Sequence, residues 1–92
     1  MPTLELTIHN SVGLHARPAS LFVRTASSYE SCNITVQNIT SVGPVVNAKS
    51  ILKVLTLGVQ QNHQIRIEAN GEKAEEALQA LKALVDSDFG ES

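Results

Sequence analysis

From Thr3 to His9 the chain alternates without a break, with Leu4, Leu6 and Ile8 on one side and Thr3, Glu5 and Thr7 on the other. A period of two predicts a strand with one buried and one wet face. After a loop at Asn10-Ser11-Val12-Gly13 the period lengthens, and Ala19, Phe22, Val23 and Ala26 recur at helical spacing from Ala16 to about Ser28. Pro18 falls in the first turn, where its missing N–H costs nothing. With His15 at the N-cap, Leu14 and Ala19 occupy the two positions that clasp a helix entrance by apolar contact.

Further along, Cys32, Ile34 and Val36 alternate as a second strand, and Gln37 to Pro44 has turn composition. Val45-Val46-Asn47 resumes as a short third strand. Ser50 to Leu55 predicts a short helix capped by Ser50 or a near neighbour and stopping near Gly58. In a fourth strand, Gln64 to Ala69, Ile65, Ile67 and Ala69 oppose Gln64, Arg66 and Glu68. Gly71 then turns the chain into the clearest helix, Glu72 to about Ser87. Its apolar stripe is Ala74, Ala77, Leu78, Leu81, Leu84 and Val85, and Glu72, Glu75 and Glu76 suit the positive helix end. Asp88 to Ser92 read as a frayed end.

The order is β-α-β-β-α-β-α. Because every strand alternates, each has a wet face, which points to an antiparallel sheet. The expected fold is α+β, an open-faced two-layer sandwich of a four-stranded antiparallel sheet with three helices on one face. No linker, repeat or low-complexity stretch interrupts it, so 1–92 reads as a single domain.

Composition removes several function classes. The net charge is −2 and there is no basic run, which argues against nucleic acid and against an anionic membrane surface. With one cysteine, Cys32, there is no internal disulfide and no paired-cysteine motif, and the residue reads as a small core side chain. The start of the chain lacks a basic stretch followed by an apolar run, and no segment reaches membrane-spanning length, so the expectation is a cytoplasmic protein without membrane insertion. His9 and His63 have no second ligand at metal spacing and read as solvent-facing residues. There is no Gly-x-Gly-x-x-Gly, no Gly-Lys-Ser/Thr loop and no Ser/His/Asp set. Neither metal nor cofactor is expected.

His15 stands apart because its neighbours fit one task. A helix start presents unpaired N–H groups and the positive end of the dipole, which favour phosphate. An imidazole there has a nitrogen lone pair able to attack phosphorus, and Arg17 can offset the charge of the phosphoryl oxygens. No neighbour looks like a base that would activate water. A polar cap without chemistry is the alternative reading of the same residue.

Gly13-Leu14-His15-Ala16-Arg17-Pro18-Ala19 resembles the active-site signature of the HPr family, the histidine-containing phosphocarriers of the bacterial sugar phosphotransferase system. A second block, Ala48 to Val59, is similar to that family's serine-centred segment. The resemblance spans essentially the whole chain and agrees with the element order. It implies a carrier rather than a turnover enzyme. His15 would be phosphorylated on its δ nitrogen by enzyme I at the expense of phosphoenolpyruvate, then pass the group to the A domains (enzyme IIA) of sugar permeases. Arg17 would assist electrostatically.

Ser50 matches the position that an ATP-dependent serine kinase modifies in many Gram-positive members, a phosphorylase and a transcription factor being further possible partners. A plain helix cap is its other reading. Ala16, Ser20, Arg24, Ile51, Leu52 and Leu55 would form the docking surface, core packing being the alternative for the last three and a solvated face for Arg24. The expectation for this carrier is a monomer. The alternative readings are a nitrogen-type or dihydroxyacetone-type relay and a serine-regulated co-regulator module. The chain departs from the pattern in two places: 36–47 is a few residues longer, with Gly43-Pro44 inserted, and Lys53 stands where many serine-regulated members have a small residue.

Overall fold

Alternation in the first strand becomes β1, Thr3–Thr7, in the computed structural model, which describes residues 2–90. The chain continues through α1 (Ala16–Ser27), β2 (Cys32–Asn38), β3 (Val45–Asn47), α2 (Ile51–Leu55), β4 (Gln64–Gly71) and α3 (Ala74–Asp86) to a short 3-10 turn at Asp88–Gly90. The sheet order is β1-β4-β2-β3, with every pair antiparallel. Thus β4, last in sequence, fills the gap between β1 and β2. Its register sets Ile67 between Leu4 and Val36, and Ile65 between Leu6 and Asn38.

The inward residues Leu6, Ile34, Val36, Ile65, Ile67 and Ala69 meet Ala19, Phe22 and Ala26 of α1 and Ala77, Leu78, Leu81 and Val85 of α3 in one core. Phe22 is fully buried, a placement that stabilises the fold by about 2 kcal/mol relative to an exposed side chain. The opposite sheet face carries Glu5, Arg66 and Gln37 in one cross-strand row, and the Arg66 guanidinium donates to Glu5 Oε2 at 2.7 Å. Both partners are well exposed, so the pair contributes little to stability. Cys32 is buried in the core. The Lys49 ammonium donates to the carbonyls of Tyr29, at 2.8 Å, and Cys32, at 2.5 Å, tying the α1–β2 turn to the segment that leads into α2.

Four expectations need correction. β1 ends at Thr7 instead of His9, although Ile8 keeps the alternation and is fully buried. The last helix starts at Ala74, not Glu72, because Gly71 (φ 122) and Lys73 (φ 62) are both in left-handed backbone. Only Glu75 and Glu76 therefore lie in its first turn. Asp88 to Gly90 is not frayed: Phe89 is buried, although Asp88 and Phe89 both have positive φ, and the turn packs on α1 and α3. Glu91 and Ser92 lie outside the described residues. Finally, His63 is half-buried and hydrogen-bonded, not solvent-facing.

Candidate functional site

The entrance of α1 is built by the loop before it. Gly13, at φ 64, brings the backbone so near the 59–60 turn that a Cβ would lie 2.3 Å from the Val59 carbonyl oxygen. Leu14 donates its N–H to that oxygen at 3.0 Å, and the Asn10 amide Nδ2 donates to Gly13 O at 2.8 Å. Leu14 and Ala19, on either side of the helix start, are both buried in the core. His15 stands between them at the N-cap with extended backbone (φ −98, ψ −170).

The His15 side chain makes no capping bond, and the ring has no hydrogen-bond or ion-pair partner among the described residues. An N-cap side chain ordinarily accepts from the first turn, so the capping role does not account for this histidine. The N–H groups of Ala16 and Arg17 are likewise unpartnered, Pro18 has none, and Ala19 is the first to bond back, to His15 O at 2.8 Å. Two adjacent N–H groups at the positive end of a 12-residue helix thus stand beside the imidazole. Arg17 is exposed and has no carboxylate partner among the described residues. Val12, His15, Ala16, Arg17 and Pro18 line an open depression. A larger one, between β1 and α3, is lined by Pro2, Thr3, Leu4, Glu75, Leu78 and Gln79 and has neither cation nor imidazole.

The remaining expected site residues fall on two adjoining helices. Ala16, Arg17, Ser20 and Arg24 are exposed at helical spacing on α1, which packs on α2. On α2, Ile51 and Leu55 are exposed and Leu52 is 73% accessible, so none of the three is a core residue; Val54 is the one that turns inward. Ser50 is the N-cap of α2, its hydroxyl accepting weakly from the Lys53 N–H at 3.4 Å. Charge is sorted among these elements. Residues 6–29 and 31–67 contain Arg17, Arg24, Lys49, Lys53 and Arg66 but no Asp or Glu. Among the described residues the carboxylates sit on β1, β4 and α3, in the turns that flank α3, and at Glu30 in the α1–β2 turn, so that neither α1 nor α2 carries one.

Two residues bear on the site without having been singled out from sequence, Val59 and Asn38. Val59 acts through its backbone, which no side-chain pattern reports. Asn38 belongs to a stretch of turn composition, yet it closes β2 with its side chain fully buried. Among the described residues, no group of three or more His, Cys, Asp or Glu side chains converges to hold a metal ion, and no helix is long and apolar enough to cross a membrane.

Residues 2–87 match the family model described as the PTS HPr component phosphorylation site. Over 89 residues the chain is 49% identical to a multiphosphoryl transfer protein of Vibrio cholerae, covering 97% of this chain and 22% of that one. It therefore spans about a fifth of the length of that relative. It is also 41% identical over 87 residues to the phosphocarrier protein HPr of Xylella fastidiosa, covering 95% of this chain and 93% of that protein. The fold superposes on the crystal structure of HPr-C-His from Thermoanaerobacter tengcongensis with a TM-score of 0.91 at 44% identity, covering 100% and 99% of the two chains.

Proposed function

Because the chain belongs to the HPr family of phosphotransferase-system phosphocarriers, we propose that His15 is its phosphoryl site, charged by phospho-enzyme I and discharged to the A domains of sugar permeases in the cytoplasm. The observation that carries this reading is the unpartnered imidazole beside the two unpartnered N–H groups of Ala16 and Arg17. A neutral ring attacks phosphorus through the lone pair of one nitrogen, the δ nitrogen by family resemblance, while its proton stays on the other. One P–N bond forms as the P–N bond of the donor phosphohistidine breaks, and the donor ring leaves neutral. The Ala16 and Arg17 N–H groups and the Arg17 guanidinium are the donors available for the oxygens whose charge must be held in transfer. The group that is transferred is the chain's own modification, so the protein is a carrier and not a turnover enzyme.

Docking follows from the same two helices. Leu52, Ile51 and Leu55 offer an apolar centre, with Ala16, Ser20, Arg17 and Arg24 on the adjoining helix and no carboxylate on either. That combination suits an acidic partner surface with an apolar middle. Phosphate on Ser50 would add negative charge to this surface and weaken such docking. The match to part of a multiphosphoryl transfer protein favours a second setting for the same chemistry, in which His15 relays the group within a longer phosphotransfer protein.

The test is direct. Incubation with phosphoenolpyruvate and enzyme I should place an acid-labile, base-stable phosphate on the chain, and His15→Ala should abolish it. A wild-type chain that takes no label from several enzymes I would sink the reading.

A further inference from the structure

A second hydrogen-bonded centre lies behind the His15 loop and uses none of the side chains assigned above. The fully buried Asn38 accepts the N–H groups of Thr40, at 3.1 Å, and Ser41, at 3.2 Å, on its Oδ1. Those two donors fix which end of the amide is oxygen. Its Nδ2 therefore donates on the other side, to Leu57 O at 3.2 Å and to His63 Nδ1 at 3.1 Å. His63 Nδ1 also receives the Gln60 N–H at 3.2 Å. With two donors aimed at it, Nδ1 is the accepting nitrogen of the ring.

The segment clamped by these two side chains, 57–63, is what the His15 loop rests on. Leu14 donates to Val59 O at 3.0 Å, Ile8 donates to His63 O at 2.9 Å, and Asn62 donates to Ile8 O at 2.6 Å. Gln61 Nε2 reaches His9 O at 3.1 Å. The loop that delivers His15 is thus bonded to this turn at both ends, and Gly13 leaves no slack between them. Any shift of Val59 moves Leu14, and Leu14 is joined to the N-cap residue itself. The longer 36–47 segment enters here, because its own turn supplies the Thr40 and Ser41 N–H groups that orient Asn38.

We propose that Asn38 and His63 are a positioning pair for His15, holding the 57–63 turn so that the imidazole stands in register with the free N–H groups of Ala16 and Arg17. Neither residue touches the reacting atoms. The proposal rests on the reading of His15 as the phosphoryl site, and it makes a separate claim about the Leu14 amide.

The experiment compares wild type, His63→Leu, His63→Asn and Asn38→Asp. Asn Oδ1 occupies nearly the place of His Nδ1 and accepts the same donors, so His63→Asn is the conservative rescue. Asn38→Asp keeps the acceptor for Thr40 and Ser41 but loses the donor to Leu57 and His63. Two quantities are read. In phosphorylation by enzyme I and phosphoenolpyruvate, His63→Leu and Asn38→Asp should lower the maximal transfer rate by about tenfold, the scale of a small misplacement of a reacting group. The half-saturating concentration should stay within about twofold, since the surface on α1 and α2 is untouched. In amide hydrogen exchange, Leu14 should lose protection selectively while core strand amides keep theirs. His63→Asn should restore both.

Parental transfer rate and parental Leu14 protection in folded His63→Leu and Asn38→Asp would overturn the proposal. So would a rise in the half-saturating concentration with no change in maximal rate. If His63→Leu does not fold, Asn38→Asp against His63→Asn gives the same two readouts. A wild type that takes no phosphate defeats the His15 reading alone, because the Leu14 exchange result still decides whether the pair holds the loop.

Discussion

Leu14 and Val59 are joined by a single backbone hydrogen bond of 3.0 Å, and the residue before Leu14 packs against the same carbonyl. This contact places the start of α1, because the strand before it ends at Thr7 and the helix begins only at Ala16. Gly13→Ala would put a Cβ 2.3 Å from Val59 O at φ 64, so the loop must move. The expected cost is about 2 kcal/mol or more in urea unfolding, with phosphoryl acceptance falling further than stability. An alanine variant that unfolds like the parent would refute the assignment of this contact as tight.

His15 occupies a cap position without capping it. Replacement by Asn, a good N-cap residue, should raise stability by about 0.5–1 kcal/mol in thermal or urea melts and abolish phosphorylation. Stability and function are then opposed at one residue, as expected where an active side chain stands in place of a structural one. Equal or lower stability for His15→Asn would show that the N-cap carries a constraint beyond the missing side-chain bond.

Arg17 makes no ion pair among the described residues and lies on the surface. Arg17→Ala should therefore leave the melting curve within about 0.5 kcal/mol of the parent, while slowing transfer roughly ten- to hundredfold through loss of charge beside the phosphoryl oxygens. Rapid-quench measurement of the phosphorylated fraction checks this; a rate unchanged at low and high salt would remove Arg17 from the site.

Val42 is a β-branched residue at φ 54 with 83% of its surface exposed. It gives up little packing, and its backbone conformation favours glycine. Val42→Gly should accordingly stabilise the chain by about 1 kcal/mol. A destabilised variant would mean that the valine side chain has a contact worth more than its strain.

Phe89 is buried in the core, in a turn that packs on α1 and α3, in spite of positive φ at both Asp88 and Phe89. Phe89→Ala should cost about 3 kcal/mol, read as a lower urea midpoint with little effect on His15 phosphorylation below the transition.

How far the sequence foretold this arrangement depended on which kind of interaction was involved. β1 and β4 were legible because Leu4, Leu6, Ile65 and Ile67 alternate, and alternation is what a one-sided sheet requires. The α1 entrance was legible because Pro18, Leu14 and Ala19 are local signals within one turn of His15. Phe89 gives no such signal, because a single apolar residue beyond a helix has no period. The burial of His63 is silent in the sequence for a related reason: its partner Asn38 is 25 positions away, and a hydrogen bond between two polar side chains leaves no pattern along the chain. The true start of α3 was hidden by Lys73, a residue type that gives no hint of left-handed backbone. For Ile51, Leu52 and Leu55, apolar character at helical spacing could not separate a core face from a wet one, and only tertiary packing decided it.

The sorting of carboxylates away from α1 and α2 changes what the net charge of −2 means. In cellular salt a charge is felt over about 8 Å, whereas the molecule measures 33 × 28 × 21 Å. A partner resting on the two helices would have Arg17, Arg24 and Lys53 as the charged side chains directly beneath it, since neither helix carries a carboxylate. Position in an isoelectric gel, which sums the whole molecule, should give the opposite sign from the one that a docking protein would meet.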